Sequence, residues 1–241
     1  MINGFAFKDS IFALRRILII CILWFCLCFG FCLTYNHVII DIFFNNLKLT
    51  SNNNLLFTKN ITSGAFIALK TAFYLSLLLL LPVLFGSLYH FASAGLFKKE
   101  RRFAALVICA CLGLGLVGVA FGFFVFAKMF FTFFLGLSLS SHGVQTLIDA
   151  EHLIELYISF CIMGFFVFQT PLCVFALLKI GVLKQDVFVK YRRFYIVIYL
   201  AIGAIVTPPD VLSQIVVSFT LWILTELGFF AYKITSKPLK H

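Results

Sequence analysis

The sequence predicts an all-α polytopic membrane protein with six transmembrane helices and both termini on the cis (matrix or cytoplasmic) side. Three observations carry this. The 241 residues are 63% hydrophobic and 12% charged, with a mean hydropathy of +1.10. A soluble domain of this size lacks the polar groups to cover so much apolar surface. Four uncharged runs are each long enough to cross about 30 Å of hydrocarbon. Finally, nearly all cations fall at the ends that share one side of the membrane.

The elements follow in order. A short amphipathic start, "FAFKDSIFALRR", precedes the first run, residues 17–40. An Asn-rich trans loop at about 41–63 follows, in which "VIIDIFFNNL" could form a short helix along the interface. Asn60-Ile61-Thr62 matches a glycosylation pattern that matters only in a secretory pathway. The second run is 71–97 and the third 103–127, with "KKERR" between them. A second trans loop, "SLSSHGVQTLIDAEHLIE", holds Asp149, Glu151 and Glu155; the two glutamates share a helix face. They read either as a solvated helix start near the positive end of its dipole or as a partner or cargo contact. The fourth run is 156–178.

The last two runs, 194–209 and 211–225, are short. A helix of sixteen residues reaches about 24 Å, so helices five and six thin the bilayer or seek partners. Between them, Pro208 and Pro209 lack N–H donors and end helix five, and Asp210 is placed to cap helix six. The chain is expected to form a single domain, 1–241. Period-two alternation is absent from the runs, which excludes a membrane barrel.

Of the 19 Lys and Arg residues, only Lys48, Lys59, Lys70 and Lys128 lie on the trans side, the last two at helix ends from which they can snorkel. The net charge of +10 is therefore a topological signal, and a nucleic-acid partner is not expected. No cleavable signal peptide is expected after so long a first run. All eight cysteines fall in the predicted helices as packing residues, with no metal-ligand spacing. The histidines form no facing pairs for haem, and neither a phosphate loop nor a nucleophile with a base is present. The reading is of a non-enzyme without cofactor or metal.

Two places stand out chemically. Glu100 is the sole acid between Asp41 and Asp149, yet its neighbours Lys98, Lys99, Arg101 and Arg102 are at i±1 and i±2. On a helix those positions do not face it. Glu100 is then either a solvated loop acid or a carboxylate awaiting an incoming cation, ideally the planar fork of Arg. Gln169-Thr170-Pro171 breaks the fourth run with polar groups and a proline, either as packing glue within the chain or as a dock for a separate single-span helix.

From about residue 10 to 232 the chain resembles the TatC family, the polytopic receptor of the twin-arginine protein translocase. The resemblance rests on "ALRRILI", "YHFASAGLFKKERR", "GVLKQDVFVKYRRFYIV", "FQTP" and "IVTPPDVLSQ", each at the matching place among six helices. It implies binding of twin-arginine signal peptides and proton-motive-force-driven transport of folded proteins. It implies single-span TatA- and TatB-type partners, contact with membrane lipid, and a homo-oligomer within a translocase complex. By the same resemblance, Glu100 would contact the arginine pair, with Phe91, Arg101 and Arg102 beside it. Gln169, Thr170 and Pro171 would lie near partner helices. Where the family has a Glu in helix one this chain has Ala13, and Asp9 stands four residues earlier on the same face as its substitute. The family's loop prolines are Ala94 and Asn46 here.

The 33 phenylalanines, with abundant Ile and Asn, point to an AT-rich genome and so favour a mitochondrial inner membrane over a thylakoid or bacterial one. The competing functional class is a polytopic structural or assembly subunit of a respiratory or haem-export complex.

Overall fold

A computed structural model describes residues 3–48, 55–57, 62–93, 98–139, 147–207 and 210–235. The chain forms two compact units, residues 1–112 with 141–158 and residues 113–140 with 159–241. The boundaries fall inside two long helices, so the third and fourth spans contribute to both units.

The first unit is built on α1 (Asn3–Thr34) and α3 (Ser63–Ser93), packed against each other. Pro82 opens the α3 backbone ladder near Leu79, and the Leu79 carbonyl accepts a hydrogen bond from Trp24 Nε1 at 3.2 Å. Phe25 meets Phe73 edge to face at 5.7 Å, and Cys21 Sγ lies 3.9 Å from Ser87 Oγ. The two helices are thus antiparallel. Cys28 and Cys32, one turn apart, are buried as apolar packing residues, and all eight cysteines are free thiols.

The chain turns at Tyr35 into α2 (Asn36–Lys48), so the stretch expected as a short helix is one. Its Phe43 packs edge to face on Tyr157 at 5.6 Å. The fold is nearly all helical, with one short exception between the loops. There β1 (Leu55–Phe57) pairs in parallel with β2 (Leu147–Asp149), Leu56 opposite Ile148. Three residues per strand carry too little periodicity to be seen in a sequence. At the end of β2, Asp149 Oδ1 accepts from the Glu151 amide at 3.1 Å. Lys70 Nζ then lies 3.1 Å from Glu151 and 3.6 Å from Glu155. The two glutamates thus share a cation from α3 across their common helix face.

Helix α4 (Lys98–Phe121) passes from the first unit into the second at Gly113 and runs through a π-helical turn (Gly122–Ala127) into α5 (Lys128–Leu139). The third run was ended at residue 127 on the charge of Lys128. The helix continues past it, and its apolar span is Ala104–Phe134. The fourth run divides into α6 (Ala150–Val167) and α7 (Thr170–Ile180), with Phe168 and Gln169 in a turn before Pro171. After α7, Gly181 adopts φ 81° and reverses the chain into α8 (Gln185–Lys190). Phe188 of α8 is buried against Val174 and Leu178 and stacks on Phe229 at 4.7 Å.

The hairpin of α9 (Arg192–Val206) and α10 (Val211–Thr235) closes the chain. Only α9 is short: its 15 residues reach about 22 Å. The expectation of a short sixth helix is corrected, because α10 has 25 residues and reaches about 37 Å. The run was ended at residue 225 because Glu226 is charged. Glu226 is in fact paired, with Arg192 at 2.7 Å, and the helix continues for more than two turns beyond it. Five helical stretches are long and apolar enough to cross a membrane, Leu14–Thr34, Ser63–Phe91, Ala104–Phe134, Ala150–Ile180 and Val211–Thr235. With the shorter α9 they account for the six expected helices.

Candidate functional site

The site expected at the α3–α4 turn is assembled from backbone features of the first unit. Phe91 lies two residues before the end of α3 and is exposed. Residues 94–97, which include Ala94, lie outside the described residues. Helix α4 then starts at Lys98, so Glu100 is in its first turn and Arg101 and Arg102, both exposed, follow directly. The helical backbone makes the i±3 and i±4 positions the facing ones. The downstream pair is Phe103 and Ala104, neither of them a cation.

The two helix ends are tied together. Tyr89 Oη, on the last turns of α3, donates to the Arg101 carbonyl at 3.4 Å. This bond holds the first turn of α4 beside the helix end that carries Phe91. Tyr89 was not among the residues expected at the site. Its signal was present, an aromatic hydroxyl two residues before Phe91, but its partner is a backbone atom that no pattern reveals.

Asp9 and Ala13 lie on one uninterrupted helix, α1, one turn apart and on one face. Cys21 lies opposite Ser87. Measured from that level, Asp9 is about 18 Å along α1 and Phe91 about 6 Å along α3 in the same direction. The helix therefore carries Asp9 past the end of α3, on the side where α4 begins.

The remaining expected residues belong to the second unit. Thr170 Oγ1 donates to the Val167 carbonyl at 2.7 Å, satisfying a group left open by the turn at Phe168 and Gln169. A Cβ on Gly228 would sit 2.5 Å from the Pro171 carbonyl oxygen, so α10 crosses α7 at the break. Gln169 turns the other way: its Nε2 would lie 3.1 Å from a Cβ on Gly115 of α4. The break is packed inside the chain on two sides.

Pro208 and Pro209 lie outside the described residues. Asp210 performs the expected cap: its Oδ2 accepts from the Ser213 amide at 2.7 Å, and its Oδ1 from the Ser213 hydroxyl. The hairpin is joined by part-buried polar bonds that sequence reading missed. Tyr199 Oη and Thr225 Oγ1 are 2.6 Å apart, Gln214 Nε2 donates to the Leu200 carbonyl at 3.0 Å, and Ser218 Oγ donates to that of Tyr199 at 3.0 Å. Polar groups in hydrocarbon seek such partners across helices. Among the described residues there is no cluster of three or more metal-ligating side chains.

The family model of the Sec-independent protein translocase protein TatC matches residues 9–219. Over 183 residues the chain is 30% identical to the Sec-independent protein translocase protein TatC of Desulforapulum autotrophicum, covering 76% of this chain and 67% of that protein. It is 29% identical over 224 residues to the TatC of Carboxydothermus hydrogenoformans, covering 92% and 90% respectively. The TatC of Escherichia coli K12 is 28% identical over 189 residues, 76% of this chain and 70% of that one. The fold is that of a crystal structure of the twin-arginine translocase receptor TatC, with a TM-score of 0.78 at 23% identity, covering 95% of this chain and all of that one. Six helices in matching order and a family match over nearly the whole length place the chain in the TatC family of Sec-independent protein translocase proteins.

Proposed function

We propose that this TatC-family translocase subunit is the signal-peptide receptor of its system and uses the α3–α4 turn as the binding face. Family membership favours the translocase over a respiratory or haem-export subunit. The observation that carries the site is the Tyr89–Arg101 bond, which fixes the first turn of α4 at the end of α3. In this reading Glu100 receives a guanidinium of the arginine pair through charge-assisted, bidentate hydrogen bonds. Phe91 offers an apolar wall, and Arg101 and Arg102 keep the turn on the cis side. Asp9 supplies the second carboxylate.

In the same proposal the protein works as a homo-oligomer with single-span TatA- and TatB-type subunits, in proton-motive-force-driven transport of folded cargo. The Gln169-Thr170-Pro171 break would be the helix-four contact for such a subunit. Both termini lie on the cis side. The compartment favoured by composition is the mitochondrial inner membrane, with thylakoid or bacterial inner membrane as the alternatives; the three relatives compared above are bacterial.

The test is a photo-crosslinker at position 100, offered a twin-arginine precursor and its twin-lysine counterpart. Crosslinking to the first alone is the expected result. Equal crosslinking to both would overturn the assignment of Glu100.

A further inference from the structure

The facing positions of α4 downstream of Glu100, Phe103 and Ala104, hold no cation to aim its carboxylate. How that acid is offered then depends on how the first turn of α4 is held. Tyr89 reaches that turn from α3. Its phenol hydroxyl donates at 3.4 Å to the carbonyl of Arg101, one residue beyond Glu100. The acceptor is a backbone atom, so the bond orients the turn itself and not one mobile side chain. The donor is carried on a half-buried ring with only two rotatable bonds, a stiff strut between the two helix ends.

Orientation matters differently to the two cations a peptide can bring. A guanidinium is a planar fork, and its two parallel N–H bonds form only with a carboxylate presented in its plane. An ammonium is a compact point charge with three rotatable donors, which a carboxylate meets from many directions. A turn free to swing keeps the second contact and loses part of the first.

We propose that Tyr89 is a positioning residue that sets the preference for arginine over lysine, its hydroxyl holding the first turn of α4 in the orientation a guanidinium reads. This rests on the receptor reading of the α3–α4 turn.

The test leaves Glu100 in place. Full-length protein is titrated with signal peptides bearing Arg-Arg or Lys-Lys, each with a photoreactive group beside the pair, and the half-saturating concentration of crosslinking is read. Tyr89→Phe removes the hydroxyl and keeps the ring. It is expected to raise the half-saturating concentration of the Arg-Arg peptide about threefold, the low end for one hydrogen bond, as suits its length. The Lys-Lys value should stay unchanged. Tyr74→Phe, the same deletion elsewhere on α3, is expected to change neither. An arginine-over-lysine ratio that survives Tyr89→Phe would overturn the inference while leaving the receptor reading intact. An equal loss for both peptides, the signature of a merely structural role, would overturn it as well. Equal half-saturation by both peptides in the unsubstituted protein would instead refute the receptor reading, and this inference with it.

Discussion

Gly118 and Gly164 meet backbone to backbone where α4 crosses α6. A Cβ on either residue would overlap the carbonyl oxygen of the other. One turn along, a Cβ on Gly122 would overlap the Phe160 carbonyl oxygen at the start of the π-helical turn. Close backbone approach of this kind gives membrane helices dispersion contact that larger residues would hold apart. It also places Gln169 against α4, because Gly115 continues the same side of the helix.

The crossing predicts a steep and local sensitivity. Because the obstacle is backbone rather than a movable side chain, Gly118→Leu and Gly164→Leu are expected to destabilise the protein by at least about 3 kcal/mol, the upper end of ordinary overpacking. Gly113→Ala, five residues from Gly118 and with open space around its Cβ position, is expected to be neutral. Thermal melts of the detergent-solubilised protein, followed by loss of the monodisperse species, measure both.

The Arg192–Glu226 pair makes a second prediction. Arg192 Nη2 lies 2.7 Å from Glu226 Oε2, and its guanidinium carbon 5.8 Å from the centre of the Phe229 ring. Both partners are partly exposed, so their coupling is expected at about 1 kcal/mol or below. Removing one partner strands a charge beside hydrocarbon, which is worse than removing both. The double variant Arg192→Gln/Glu226→Gln is therefore expected to be more stable than Arg192→Gln alone. A double-mutant cycle on unfolding in mixed micelles decides it, and additive effects would show that the pair does not couple.

These residues mark the limit of what the sequence makes legible. The helix count, the break at Pro171, the cap at Asp210 and the family follow from apolar runs, proline chemistry and motif spacing. Helix ends were misplaced at Lys128 and Glu226 because a charge reads as an exit from hydrocarbon. The partner that lets Glu226 stay, Arg192, is 34 residues away. The Gly118–Gly122 spacing, a small-xxx-small pattern, was not singled out in the sequence, and its facing residue, Gly164, is known only once the helices cross. The Tyr89 hydroxyl was in view beside Phe91, but its partner, the Arg101 carbonyl, is a backbone atom that no pattern reveals.

The cap at Asp210 should behave as a local staple. Asp210→Ala removes both the Ser213 amide acceptor and the hydroxyl contact and is expected to cost about 1 kcal/mol, whereas Asp210→Asn keeps most of the cap. Hydrogen exchange at the first amides of α10 should quicken in the first variant and change little in the second.

Lys70 gives an ordered pair of effects in the first unit. It lies 3.1 Å from Glu151 and 3.6 Å from Glu155, and Glu151 is the less exposed of the two. Glu151→Gln is expected to loosen the contact of α3 with α6 more than Glu155→Gln, each by less than about 1 kcal/mol at this exposure. Limited proteolysis in the loops that precede α3 and α6 reports the difference, and raised salt should shrink it.

The last prediction concerns the two carboxylates of the proposed receptor face. Ala13 leaves helix one without the acid the family usually carries there, and Asp9 is the acid one turn away on the same face of an unbroken helix. A guanidinium pair needs two acceptors to be fully answered, and each charge-assisted hydrogen bond is worth about 1.5–3 kcal/mol. Glu100→Gln is therefore expected to weaken crosslinking to a twin-arginine peptide by at least about tenfold, and Asp9→Asn by a smaller but measurable factor. Restoring Glu at position 13 in the Asp9→Asn protein should recover the loss, since the two positions project from one face. If Asp9→Asn leaves crosslinking unchanged while Glu100→Gln abolishes it, Asp9 has no part in recognition, and Glu100 alone receives the arginine pair.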